Sequence, residues 1–353
     1  MKMKKLVMAL VLNTPMLALE PLIAHIDIDP RYQVAGDQWT WKLIADGIDK
    51  DPALHYMPGR DLPAGTTGNR TGERHVRPAS SAWGFLGVAS GDPVWIYTQL
   101  NNQYAWLGFH DTQVSFPQPV RVYLHSVEGP SGGVFSLYTS SSAVLLKTID
   151  GIDAQDCFDK PMNHSHMNWA FSRKGMWRVN LKVQGFLGAG MTSPTSLSPV
   201  VPLHFAIGHR SQWRAKNFEA VDVMNESISG DQADADGDGY SNLLEYAIGG
   251  NPRMISEASS ERPGPLMPQQ NLFFIGGDRY LQFEYYRRSS ADSPEASYSV
   301  EWADSLHNHP WTTDGIVVST TPVNAQWEKV IVRDRKKMSD STKRFVRLRI
   351  SSL

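Results

Sequence analysis

An acidic run near residue 240 combines residue types and a spacing that bind calcium. Counted from Asp234 as position one, carboxylates stand at positions one, three, five and twelve, and Gly239 at position six permits a sharp turn. Calcium takes about six to eight oxygen ligands, and a tight loop can aim alternate carboxylates at one point. The candidate ligands are the side chains of Asp234, Asp236, Asp238, Asn242 and Glu245 and the backbone carbonyl of Tyr240.

The calcium site predicted for this acidic loop (residues 234–245) is a single structural site. The helical pattern before the loop is weak, which does not fit the paired helices of a calcium sensor. Extracellular calcium modules bind with dissociation constants of about 10⁻⁴ to 10⁻³ M. The alternative is a solvated acidic turn without an ion, in which the carboxylates would repel one another.

Two histidines, His164 and His166, form a second candidate site. Residues i and i+2 of a strand point to the same face, so this pair could share a Zn²⁺ or Cu²⁺ ion. A third ligand must then come from elsewhere, and His25 is the best candidate because it begins a predicted strand on which Asp27 shares its face. Weaker candidates are His110, His125, His204 and His209. The alternative is a structural role, in which these imidazoles only bond backbone carbonyls.

Short segments of alternating polarity must position these residues, and they predict an all-β fold. The segments are 26–29, 39–44, 93–97, 120–124, 133–138, 176–183, 203–207, 281–285, 298–302, 316–319, 327–332 and 344–350. They favour a large antiparallel β-sandwich and a smaller C-terminal β-sandwich, joined by a connector with short helices at 210–221 and 242–248. Residues 49–81 are rich in Gly, Pro and Arg and are predicted to form a surface loop or lid.

The predicted divisions of the chain follow from these patterns. They are a signal peptide at 1–20, the large β-sandwich at 21–209, the connector with the calcium loop at 210–252, a linker at 253–270 and the C-terminal β-sandwich at 271–353.

Composition and the N-terminal segment narrow the class of protein. The 353 residues include 34 Lys plus Arg and 36 Asp plus Glu, so the charges nearly balance. The sequence therefore lacks the excess of positive charge that is typical of nucleic-acid-binding proteins. Lysines precede a short apolar run at 6–12, which predicts an export signal with cleavage after Ala18 or Ala24. That run is too short to span a bilayer, so no transmembrane anchor is predicted. We therefore expect a secreted, periplasmic or cell-surface protein.

The acidic loop resembles a known connector of secreted bacterial proteins. Residues 234–252 (DADGDGYSNLLEYAIGGNP) are similar to the thrombospondin-type-3-like calcium motif, which joins a larger β domain to a C-terminal β module. Residues 298–306 with Trp311, and residues 345–349, resemble that C-terminal module. The resemblance implies that calcium fixes the arrangement of two domains.

Residues 22–208 resemble the actinobacterial-type surface-anchored repeat, also called the choice-of-anchor M domain. The similar segments are His25-Ile-Asp27, Gly91-Asp-Pro-Val-Trp-Ile-Tyr97, His164-Ser-His-Met-Asn-Trp-Ala-Phe171, Gly175-Met-Trp177 and His204-Phe-Ala-Ile-Gly208. The resemblance implies export and display at a cell surface. It also implies, more weakly, an association with a metal-type ABC transporter.

The motifs favour a non-catalytic protein. The sequence contains no GxSxG, HExxH or Walker motif. The function predicted first is surface or extracellular binding or display of a cell-surface protein or polysaccharide ligand, with a structural Ca²⁺. The alternative is a Zn²⁺- or Cu²⁺-binding protein linked to metal uptake through the histidines. The second alternative is a secreted hydrolase or glycan-binding module, since 11 Trp residues could stack on sugars.

Overall fold

The computed structural model describes residues 18–63, 72–100, 106–110, 118–161, 163–255, 258, 262, 264–289, 295–307 and 310–353. Residues 1–17, which hold most of the predicted signal peptide, lie outside the described residues. Within the part that is described, no helix is both long and apolar enough to cross a membrane.

The chain is mostly β-structure, which confirms the predicted fold class. The strands are β1 Glu20–Pro21, β2 His25–Gln33, β3 Gln38–Ala45, β4 Ile48–Lys50, β5 His55–Pro63, β6 Gly72–Val76, β7 Pro93–Tyr97, β8 Trp106–Phe109, β9 Val120–Glu128, β10 Phe135–Ser140, β11 Ala143–Lys147, β12 Cys157–Lys160, β13 Ser165–His166, β14 Asn168–Phe171, β15 Gly175–Gln184, β16 Phe186–Gly188, β17 Thr192–Pro194, β18 Val201–Ile207, β19 Gln269–Ile275, β20 Asp278–Arg288, β21 Ala296–Ala303, β22 Gly315–Pro322, β23 Trp327–Lys337 and β24 Phe345–Ser352. The helices are α1 His209–Asn217, α2 Glu226–Ser229 and α3 Asn242–Ile248, and single 3₁₀ turns occur at Pro52–Leu54, Ser81–Leu86 and Met338–Asp340.

Two sheets of the N-terminal half share one hydrophobic core. Sheet A has the order β11-β10-β14-β7-β6-β5-β18-β15-β9-β12, with β1 added beside β5, and sheet B has the order β13-β8-β2-β3-β4. Ile26 and Ile28 of β2 pack in the same cluster as Trp169, Trp177 and other buried residues of sheet A. Because side chains alternate along a strand, His25 and Asp27 lie on the opposite face of β2. The core thus fixes which face of sheet B carries the histidine.

The sheets are mixed, whereas the sequence pattern predicted antiparallel ones. β5 pairs in parallel with β1, β6 and β18, and β2 pairs in parallel with β8. The chain leaves sheet B after β4, builds part of sheet A and returns to sheet B at β8, so strands distant in sequence become neighbours. Alternation of polarity shows which face of a strand is buried but not the direction of its neighbour.

The prediction of a loop at 49–81 is wrong for the described part of that segment. It contains β5 and β6, which lie in the middle of sheet A between β18 and β7. Tyr56 and Met57 of β5 are buried. The Pro, Gly and Arg residues of this segment break the alternation that identifies a half-buried strand, so the pattern gave no strand signal. Residues 64–71 lie outside the described residues.

The C-terminal half has its own core. Sheet C has the order β19-β20-β23-β22, and β21 pairs with β24 as sheet D. Phe283 and Val332 of sheet C pack in one cluster with Val300 and Trp302 of sheet D. The alternating strands predicted here are confirmed, including the two that form sheet D.

Helix α3 contacts the C-terminal half directly and the N-terminal half through helix α1, which packs on β5, β15 and β18. Its residues 242–248 match the predicted helix, which begins after Ser241 and ends at Gly249 in the left-handed conformation (φ 78°) that glycine favours. The Tyr246 hydroxyl lies 3.0 Å from His209 Nδ1 of α1, while the Tyr246 carbonyl accepts a hydrogen bond from Arg288 Nε of β20 at 2.8 Å. The connector is therefore packed between the two halves.

The first described residues belong to the fold. Leu19, Leu22 and Ala24 are buried, and β1 pairs with β5. The signal boundary predicted at residue 20 falls at the start of β1. Of the two predicted cleavage positions, the one after Ala24 would remove all three buried side chains, whereas the one after Ala18 would keep them.

Candidate metal centres

Three adjacent strands of sheet B bring together the side chains of the first candidate site. Asp27 of β2 and His166 of β13 are both paired with Gly108, on the strand β8 that separates them. His25 lies two residues before Asp27 on the same face, and His164 precedes β13. Because Gly108 has no side chain, the side chains of Asp27 and His166 can occupy the space above it. The strand pairing thus directs four side chains to one point above β8.

The ligand atoms of these four side chains converge. They belong to His25, Asp27, His164 and His166, here called the histidine cluster, and lie within 4.8 Å of one another. The Nε2 atom of His166 is 3.2 Å from Nε2 of His25 and 3.0 Å from Nε2 of His164. Asp27 Oδ1 is 2.7 Å from His164 Nε2, 3.3 Å from His25 Nε2 and 3.9 Å from His166 Nε2.

These spacings fit one tetrahedral ion. Zinc binds imidazole nitrogen and carboxylate oxygen at about 2.0–2.2 Å, so the ligand atoms of a tetrahedral site are about 3.3–3.5 Å apart. The separations given above scatter around that value. Three imidazoles and one carboxylate form a donor set that suits Zn²⁺ and Cu²⁺. Ca²⁺ and Mg²⁺ prefer sites made of oxygen ligands.

The histidine cluster is shielded on one side and open on the other. The side chains of Asp27 and His166 are 6% and 8% exposed, whereas those of His25 and His164 are 33% and 39% exposed, which gives an ion a path from solvent. Trp106 stacks on His166 with ring centroids 3.7 Å apart. Burial, and then the neighbouring His164, lowers the pKa of His166 to about 4, so this imidazole is neutral at pH 7, as a metal ligand must be.

Sequence reasoning named three of the four cluster members. The structure brings His25, His164 and His166 together, as that prediction required. From the sequence, Asp27 was predicted to share a face with His25 but not to be a ligand, although the two residues are only two positions apart. His110 is the nearest of the weaker candidates, with its ring centroid 6.1 Å from that of His164. The others, His125, His204 and His209, lie on β9, β18 and α1 and are not part of the cluster.

The acidic loop is the second candidate site. Carboxylate oxygens of Asp234, Asp236 and Asp238 lie within 4.8 Å of one another. Asp234 accepts hydrogen bonds from the backbone N–H groups of Gly237 and Gly239, both at 2.8 Å. These bonds hold the loop in a tight turn around the carboxylates.

Glu245, the last residue of the acidic loop, is a buried carboxylate on helix α3. It is 3% exposed, and its Oε2 atom has no hydrogen-bond partner among the described residues. Burial, and then the charges of Asp236, Asp238 and Asp234, raises the pKa of Glu245 to about 8. Glu245 is not part of the 4.8 Å group of aspartates. A cation between these groups would reduce the repulsion among the carboxylates and give Glu245 Oε2 a partner.

The remaining predicted calcium ligands have other contacts. The Tyr240 N–H donates to Asp238 Oδ1 at 2.8 Å. Asn242 is buried, and its Nδ2 donates to the carbonyls of Ile228 and Gly230 at 2.9 and 2.8 Å. Asn242 Oδ1 has no partner among the described residues. The amide of Asn242 thus ties the start of α3 to the end of α2.

Comparison with known proteins gave no match to a family model and no similar curated protein. The resemblances to the choice-of-anchor M domain and to the thrombospondin-type-3-like motif therefore stay predictions. Inference about function rests on the geometry of the two clusters.

Proposed function

We propose that this protein binds one transition-metal ion, Zn²⁺ first, through the histidine cluster. The observation that supports it most is the convergence of three imidazole nitrogens and one carboxylate oxygen at tetrahedral spacing. A chance surface group of histidines has no reason to turn every Nε2 atom toward the same point. Cu²⁺ suits the same donor atoms and is the competing ion.

The donor set favours binding over catalysis. Catalytic zinc sites keep a coordination position open for water or substrate, whereas structural and carrier sites are filled by protein ligands. The four side chains of the histidine cluster would complete a tetrahedron around an ion. We therefore propose a non-catalytic metal-binding protein, which makes the secreted hydrolase the weaker of the earlier alternatives.

Elemental analysis tests this proposal. Metal-free protein is incubated with Zn²⁺, Cu²⁺ or Ca²⁺ in separate samples, because Cu²⁺ outcompetes Zn²⁺ at most nitrogen and oxygen sites, and each sample is desalted and analysed. We expect about one zinc per chain, and less than a tenth of that in a His164→Ala/His166→Ala variant. The matched control is His125→Ala, which removes an exposed histidine of β9 and should keep full zinc. Copper in place of zinc would keep the site and change the ion. Zinc retained by the double variant would refute the site.

Gly108 gives a finer test of the same cluster. A Cβ atom built on Gly108 would lie 2.7 Å from Cε1 and Nδ1 of His166, which is too close. The same Cβ would lie 2.8 Å from the Ser165 carbonyl, so Gly108→Ala should displace both the His166 ring and the β13 backbone. We expect zinc affinity to fall by about 10- to 100-fold, the range seen when groups that orient metal ligands are altered.

The Gly108→Ala experiment measures the zinc dissociation constant by competition with a chromophoric chelator. Gly84→Ala is the control, because the nearest atom to its added Cβ is 4.0 Å away. Equal affinities for the two variants would mean that the His166 ring is not a zinc ligand in this orientation.

We propose a structural Ca²⁺ site in the acidic loop as a second function. It is supported by the three clustered aspartates and by the buried, unpaired oxygen of Glu245. Because α3 packs on the C-terminal half and contacts α1, which packs on sheet A, an ion here would stabilise the arrangement of the two halves. Such a brace suits the predicted exported protein that displays or binds a surface ligand, since extracellular calcium is abundant enough for weak sites.

A further inference from the structure

Lys160 is a lysine buried completely inside the protein, four residues before His164. It is the last residue of β12 in sheet A, and its side chain has no exposed surface. From here the chain crosses to sheet B, where β13 carries His166, and then returns to sheet A at β14. The segment with both histidines is thus a short excursion between two sheets.

The ammonium group of Lys160 holds the beginning of this excursion. Nζ donates to the carbonyl of Pro161 at 2.8 Å and to the carbonyl of Asn163 at 2.5 Å. Burying an ammonium group costs several kcal/mol unless its hydrogen bonds are made. These two bonds hold the carbonyls of Pro161 and Asn163 close to the Lys160 side chain. His164 directly follows Asn163, and its Nε2 lies 2.7 Å from Asp27 Oδ1.

The other end of the excursion is fixed separately. Met167 is buried, and Asn168 accepts a hydrogen bond from the Gln99 N–H at 2.9 Å through its Oδ1. The carbonyl of Gln99 in turn accepts a bond from the indole of Trp106 at 2.7 Å. With the far end anchored in this way, the position of His164 depends on how the near end is held.

We propose that Lys160 is a positioning residue of the metal site, which sets the backbone that presents His164 to the ion. This inference rests on the proposed zinc function. Lys160 is not a ligand itself, and its bonds to the carbonyls of Pro161 and Asn163 hold the backbone just before His164. A lysine with a purely structural role would stabilise the fold equally with and without metal, whereas a positioning lysine changes the affinity for metal.

The test replaces Lys160 by Met, which keeps most of the volume and removes both hydrogen bonds. Zinc affinity is measured by chelator competition, the ligand geometry by the visible absorption of the Co²⁺-substituted protein, and stability by denaturant unfolding without metal. We expect a zinc dissociation constant raised about 10- to 100-fold and an altered cobalt spectrum. Lys182→Met, in β15 of the same sheet, is the control and should leave both unchanged.

The outcomes separate the two claims. Unsubstituted protein that binds no zinc overturns the proposed function, and the role of Lys160 falls with it. Zinc binding that is equal in unsubstituted protein and Lys160→Met overturns the role of Lys160 alone, whatever the loss of stability. If Lys160→Met does not fold, Lys160→Gln, which can still donate to one carbonyl, is measured in the same way. An unchanged affinity and cobalt spectrum in that variant would also refute the inference.

Discussion

Zinc added to metal-free protein is expected to raise its free energy of unfolding by about 4 kcal/mol when free zinc is about 1,000 times the dissociation constant. The gain arises because the histidine cluster exists only in the folded chain, where sheet B brings β2 and β13 together on the two sides of β8. The measurement is denaturant unfolding across a series of free zinc concentrations. The slope of the free energy of unfolding against the logarithm of the free zinc concentration should correspond to one ion per chain.

A triple variant, His25→Ala/His164→Ala/His166→Ala, should show none of this gain. Its own stability without zinc should stay close to that of the unsubstituted protein, since two of the three imidazoles are partly exposed and lie outside the hydrophobic core. His125→Ala controls for non-specific binding and should respond like the unsubstituted chain. A zinc response of equal size in the triple variant would place the ion elsewhere.

Removal of calcium is expected to have the second-largest effect. With free calcium about 100 times the dissociation constant, binding at the acidic loop would contribute about 2.7 kcal/mol, all of it lost in EGTA. Glu245→Gln should abolish that difference because it removes the carboxylate expected to close the site. In EGTA the variant should be at least as stable as the unsubstituted protein, since it no longer places a buried carboxylate beside three aspartates.

The decisive result is therefore the order of stability of the unsubstituted protein and the Glu245→Gln variant, which should differ between the two buffers. In calcium the unsubstituted protein should be the more stable, and in EGTA the Glu245→Gln variant should equal or exceed it. Glu226→Gln, an exposed carboxylate on the neighbouring helix α2, serves as the control and should keep the full calcium response. Stabilities that keep the same order in both buffers would show that the acidic loop binds no calcium.

Much of the fold could be predicted from alternation of polarity along the chain. Segments such as 176–183 and 327–332 alternate because one face of each strand is buried, and both lie within observed strands. Strand β5 could not be found in this way. It lies in the middle of sheet A, and the Pro, Gly and Arg residues along it do not follow a period of two.

The histidine cluster was partly predictable for the same reason. Strand periodicity puts His164 and His166 on one face and His25 and Asp27 on another strand's face, but it does not show that the two pairs meet. Gly108, Trp106 and Lys160 were not predictable, because their roles depend on β8 lying between β2 and β13 and on the crossing from sheet A to sheet B. Nothing in a local pattern encodes which distant strands become neighbours.

The cluster joins parts of the chain that are far apart in sequence, since His25 and His166 are separated by 141 positions. An ion bound by both would close a very long loop, as a disulfide does in many exported proteins. This chain has one cysteine and cannot form such a bond within itself. A disulfide persists on unfolding and restricts the unfolded chain, whereas an ion that binds only the folded chain stabilises it by mass action and releases the loop when the chain unfolds. The bound metal would then act as a reversible crosslink, and the lifetime of the folded protein would depend on the concentration of the ion.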